Sequence, residues 1–82
     1  MTTRSEPRLR TRLRVARAER DLSQEQLAGA AGVSRQTISS IETGQYCPSS
    51  VLALRLAHVL GQRFEDLFWL EGEGNEAIAR SR

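Results

Sequence analysis

Apolar positions recur at helical spacing in several short stretches, with turn residues between them. Leu9, Leu13, Ala16 and Val15 form a narrow stripe among arginines, which predicts a first helix over about Arg8–Arg20. "DLS" breaks it, and Ser23 followed by Gln26 has the form of a capping box. A second helix is then expected over about Gln24–Ala31, burying Leu27, Ala28 and Ala31. Gly32 can take the left-handed conformation that stops a helix. Ser34 caps a third helix that runs to about Thr43, with Gly44 as its stop. "QYCPS" reads as a loop. Ser49 caps a fourth helix, Ser50–Leu60, that ends at Gly61, and a short fifth helix holds Phe64, Leu67 and Phe68.

Five short helices with short turns predict an all-α fold, a compact five-helix bundle over residues 8–70. "MTTRSEP", residues 1–7, reads as a flexible arm, and residues 71–82 as an acidic and polar tail with too few apolar residues to fold alone. The length of 82 residues allows one small domain. Richness in Leu and Ala, with four aromatic residues, favours helices over a sandwich or barrel. One cysteine, Cys47, excludes an internal disulfide, which suits a reducing cytosol. No apolar run approaches the roughly 18 residues of a membrane span, and the N-terminus lacks the apolar core of a signal peptide. A soluble, cytoplasmic protein is expected.

The third helix is unusual. Ile38 and Ile41 can bury its back, while Arg35, Gln36, Thr37, Ser39 and Ser40 offer hydrogen-bonding groups. A merely solvated helix would favour Glu, Lys and Ala, the better helix formers. The preceding helix and the "GVS" turn suggest why. Two short helices can pack at a steep angle when the contact residue is small, as Ala28 is. Leu27 and Ala31 would then meet Val33, Ile38 and Ile41, making a helix-turn-helix. Such a motif places the N-terminal side chains of its second helix against base edges in the major groove. There Arg pairs with guanine O6 and N7, Gln with adenine N6 and N7, and Thr or Ser serves less selectively.

At this point "LSQEQLAGAAGVSRQTISSIETGQYCPSSVLALRLAHVLG" resembles the XRE family of phage repressors, Cro proteins and small bacterial regulators. The resemblance covers about Leu9–Phe68. It implies a lambda-repressor-like helix-turn-helix domain that binds double-stranded DNA. It implies phosphate contact, and bracing of the recognition helix, by Gln24. Arg35, Gln36 and Ser40 take the main base-reading positions, with Ser34, Thr37 and Ser39 flanking them. Thr43, Gln45 and Tyr46 take positions that often meet phosphate. Arg17 and Glu42 match a pair that forms an internal salt bridge in many members. Ser50 departs from the pattern, which often has a larger apolar residue there.

Charge adds an asymmetry. Residues 1–20 hold seven arginines against two glutamates, a net +5, while residues 21–82 carry a net −3. One end can attract a polyanion that the other repels. The N-terminal arginines fit either a solvated face or contact with phosphate or a minor groove. All twelve basic residues are Arg; guanidinium forks suit phosphate and guanine, and a coding bias would give the same usage. Cys47 and His58 form no metal pattern. Cys47, in a loop beside the expected DNA face, is a candidate redox switch, although nothing near it in sequence clearly activates the thiol.

Helix 4 carries more apolar surface than a small bundle needs. With Ala53, Leu56, Ala57 and Leu60 in the core, Val51, Leu52, Leu54 and Val59 remain, and "LFWL" at 67–70 follows. Leftover apolar surface on a small protein often marks an interface. A homodimer through Val51, Leu54, Phe68, Trp69 and Leu70 is expected, with Trp69 as anchor or, alternatively, folded back over its own core. A dimer would set two recognition helices about 34 Å apart and read a near-palindrome. The expected function is a sequence-specific transcriptional regulator, by default a repressor acting through occupancy, with no catalytic apparatus, cofactor or metal. The alternative is a protein-interaction module or antitoxin of the same fold with a partner protein.

Overall fold

Three serines start three of the helices. Ser23, Ser34 and Ser49 lie in extended conformation, and each hydroxyl accepts a hydrogen bond from the backbone N–H three residues on, at Gln26, Thr37 and Leu52. Each supplies a partner to an amide the helix itself leaves unpaired. At Ser23 the Gln26 side chain also accepts from the Ser23 N–H at 2.8 Å, which completes the capping box.

The computed structural model describes residues 8–71; the expected arm, and the expected tail beyond Glu71, lie outside the described residues. The elements run β1 (Arg8–Thr11), α1 (Leu13–Glu19), α2 (Gln24–Ala31), α3 (Arg35–Glu42), α4 (Ser50–Leu60), α5 (Phe64–Leu67) and β2 (Phe68–Glu71). The class is all-α, as expected, with one small antiparallel sheet that the helical reading missed.

That sheet corrects both ends of the predicted bundle. Helix 1 does not begin at Arg8. Residues 8–11 pair with β2 in the register Arg8↔Glu71, Leu9↔Leu70, Arg10↔Trp69 and Thr11↔Phe68. Leu9 and Thr11 are half-buried while Arg8 and Arg10 are exposed, the two-residue period of a strand rather than a helical stripe. Thr11 ends the strand. Its hydroxyl donates to the Leu67 carbonyl at 2.9 Å and accepts from the Leu13 N–H at 3.0 Å, so it ties β1 to α5 and starts α1. Phe68 and Glu71 likewise belong to β2, not to helix 5 or a tail.

The core is built from Leu and Ile with alanines between them. Leu13 and Ala16 of α1 meet Leu27, Ala28 and Ala31 of α2, Ile38 and Ile41 of α3, and Leu52, Leu56 and Leu60 of α4. Leu67 and Phe68 close it. Each large side chain so buried contributes about 1.5–3 kcal/mol. Leu52, expected as surplus, is a core residue, and Val15, expected near the core, is exposed.

Two helix ends share a device. Gly32 and Gly61 have φ of +76° and +64° and close α2 and α4. At each end an arginine from elsewhere adds a hydrogen bond to the last carbonyl: Arg55 to Ala31 at 3.0 Å and Arg20 to Leu60 at 3.2 Å. A positive φ disfavours any residue with a Cβ. At Gly61 the space is tight as well: an added Cβ would lie 3.2 Å from the Arg20 guanidinium, which would have to give by a few tenths of an ångström.

Candidate nucleic-acid interface

The turn between α2 and α3 determines how α3 is presented. The Gly32 N–H reaches the Gly29 carbonyl at 3.3 Å and the Val33 N–H reaches Ala28 at 3.0 Å, so the chain reverses within three residues. Ala28 is buried where the two helices pack, and its methyl lets them approach closely. Ile38 and Ile41 anchor the back of α3. On its other sides Ser34, Arg35, Gln36 and Thr43 are exposed, and Thr37, Ser39 and Ser40 are half-buried.

Among the described residues, the side chains of Gln36, Ser39, Ser40, Gln45 and Tyr46 make no hydrogen bond to the rest of the protein. Ser34 and Thr37 share a 3.0 Å hydroxyl contact at the helix start. Thr43 turns its hydroxyl back to the carbonyls of Ser39 and Ser40, at 3.1 and 3.3 Å. The amides of Gln45 and Tyr46 close the end of α3 on the Ser40 carbonyl. Their side chains therefore leave the helix outward from a fixed backbone. The front of α3 is a surface of free donors and acceptors on a rigid back.

Behind it lies a polar relay. Glu42, the last residue of α3, receives Arg17 Nε at 2.7 Å and a second guanidinium nitrogen at 3.3 Å. The Arg17 guanidinium also donates to the Leu22 carbonyl at 2.7 Å. Gln24 Nε2 donates to Glu42 at 3.0 Å, and Gln24 Oε1 accepts from Arg35 at 3.3 Å. One chain of contacts thus joins α1, α2 and both ends of α3. The implied Arg17–Glu42 pair is present, and Gln24 braces Arg35. The Glu42 side chain is only 3% exposed, so its charge is held by these partners rather than by water.

Beside this face lies a cleft of about 490 Å³. One wall is β1 with Arg8 and Arg10; the other is the end of α3 and the loop after it, with Glu42, Thr43, Gly44 and Tyr46. Sequence reasoning placed Arg8 and Arg10 on a helix, among N-terminal arginines that fitted either a solvated face or phosphate contact. The alternation of Arg8, Leu9, Arg10 and Thr11 was the signal for a strand.

The expected interface residues divide. Val51 and Leu54 of α4, with Trp69 and Leu70 of β2, are exposed apolar side chains. Phe68 is not available: it is 2% exposed, inside the core, with its ring 5.7 Å from that of Phe64. Strand geometry causes this, since neighbours along β2 face opposite sides. Trp69, at 43% exposure, lies beside Arg10 and is not folded over the core. Cys47 and His58 are exposed, and among the described residues no three His, Cys, Asp or Glu side chains gather to hold a metal ion. No helix of the described residues is long and apolar enough to cross a membrane.

Two helices set by a tight glycine turn, the second with an apolar back and a polar front, define a helix-turn-helix DNA-binding domain. The chain belongs to the helix-turn-helix family of the XRE type: the family HTH_3 matches it over residues 13–67. It is 42% identical over 65 residues to the uncharacterized HTH-type transcriptional regulator YgzD of Bacillus subtilis, covering 79% of this chain and 98% of that one. It is 48% identical over 67 residues to an uncharacterized HTH-type transcriptional regulator of Methanothermobacter thermautotrophicus, covering 80% and 97%. Among solved structures it is similar to the restriction-modification controller protein C.AhdI of Aeromonas hydrophila. That match has a TM-score of 0.66 and 40% identity, over 70% of this chain and 83% of the other. The family is one of non-enzymatic regulators.

Proposed function

We propose that the protein is a sequence-specific, double-stranded DNA-binding transcriptional regulator of the cytoplasm, acting as a homodimer on a near-palindromic operator. The observation that carries this reading is the front of α3, where Gln36, Ser39 and Ser40 keep their hydrogen-bonding groups free beside Arg35. Arg35, Gln36 and Ser40 read base edges. Ser34, Thr37 and Ser39 flank them, and Gln24, Thr43, Gln45 and Tyr46 hold the backbone. Phosphate contacts give register and base contacts give sequence. The exposed apolar side chains Val51, Leu54, Trp69 and Leu70 support self-association. Repression follows from occupancy alone, because a dimer seated over a promoter excludes polymerase.

The test is a titration against a duplex covering the gene's own promoter and against a scrambled duplex, at several salt concentrations. Preference for the promoter that persists near 150 mM salt supports specific readout; specific binding typically exceeds non-specific by about 10³-fold or more. Equal, steeply salt-dependent binding to both would reduce the reading to phosphate contact at that site. Absence of binding even at low salt would favour the interaction-module reading and a protein partner.

A further inference from the structure

We propose that the cleft between β1 and the loop after α3 grips a phosphate of the DNA backbone, with Arg8 and Arg10 as the gripping side chains. This rests on the reading that α3 enters the groove, and it gives the strand a role in binding.

Position comes first. The wall opposite β1 is made by Thr43, Gly44 and Tyr46, the residues that leave the end of α3. A backbone strand that passes Thr43 and Tyr46 therefore passes the mouth of the cleft. Arg8 and Arg10 are two residues apart on one strand, so they project to the same side of the sheet.

Charge comes second. The charged residues lining the cleft are Arg8, Arg10 and Glu42. Both Glu42 oxygens are engaged, one by Arg17 and the other by Arg17 and Gln24, so its charge is already matched. Arg8 has no side-chain hydrogen bond or ion pair among the described residues. Arg10 pairs with Glu71, and both side chains are more than half exposed, so solvent screens the pair and a phosphate can compete for the guanidinium. Guanidinium groups bind phosphate through two N–H groups at once. Tyr46 lines the same space, and its hydroxyl has no hydrogen bond among the described residues.

The experiment uses the full chain and two duplexes of equal length, one selected from a random-sequence library by the wild-type protein and one scrambled. Arg8→Gln should weaken binding to both by the same factor and make the plot of log affinity against log salt shallower by about one. Glu71→Gln, which releases Arg10, should strengthen binding to both and steepen the plot. Circular dichroism verifies that each variant folds, and the opposite sign expected of Glu71→Gln separates phosphate contact from damage to the sheet. Unchanged affinity and slope in both variants, with sequence preference intact, would overturn the clamp and leave the reading of α3 standing. Loss confined to the selected duplex would make Arg8 a base reader and overturn it too. If selection on the wild type returned no preferred sequence, the reading of α3 would fall and take the clamp with it.

Discussion

Arg17 and Glu42 stand 25 positions apart in the chain, yet two guanidinium N–H groups reach the carboxylate, the shorter contact at 2.7 Å. The pair fixes α1 against the end of α3. Arg17→Ala would leave a nearly buried carboxylate with Gln24 alone. Breaking such a pair from one side typically costs about 3–5 kcal/mol. Urea unfolding of Arg17→Ala should show a midpoint well below wild type with an unchanged slope. A shift below about 1 kcal/mol would mean that water replaces the guanidinium.

Gln24 touches both Glu42 and Arg35. Arg35→Ala should cost about 1–3 kcal/mol of DNA affinity and relax preference at one base pair. Gln24→Ala should weaken binding by less at that base pair, since Arg35 remains but is no longer steered. Competition against every single-base variant of the site distinguishes these outcomes. A uniform loss across all variants for Arg35→Ala would mark Arg35 as a phosphate contact.

Phe68 and Trp69 are neighbours in sequence with opposite roles. Phe68→Ala empties a core position and should cost about 3–5 kcal/mol of stability. Trp69→Ala should leave the melting temperature of dilute protein nearly unchanged and raise the dimer dissociation constant. Sedimentation at several concentrations measures the second effect. A Trp69→Ala protein that self-associates like wild type would remove Trp69 from the interface.

The helix starts at Ser23, Ser34 and Ser49 were legible because capping is local: a hydroxyl and an amide three residues away suffice. The packing face of α3 was legible for the same reason, since Ile38 and Ile41 are one turn apart. The sheet was not, because its pairing joins Arg10 to Trp69, far along the chain, and each strand has four residues. Its alternation was visible in "RLRT", but the arginines there also fitted the solvated face of a helix. Phe68 was misplaced in consequence. Read as the end of a helix, it looked like surplus apolar surface; in a strand it points inward and Trp69 outward. The cleft beside α3 was beyond a linear reading, since its walls are joined only by the fold.

The pairing of β1 with β2 brings the two ends of the described domain side by side, Arg8 across from Glu71. In synthesis, α1 to α4 can form from contacts between nearby residues while β1 waits, because β2 is the last of the described elements to be translated. Closing a loop of that length carries the largest chain-entropy cost in the domain. The seam is therefore the step that completes the described domain. A circular permutant that joins the ends of the described domain at this seam and opens the chain in an exposed loop would turn the most distant strand pairing among the described residues into a local one.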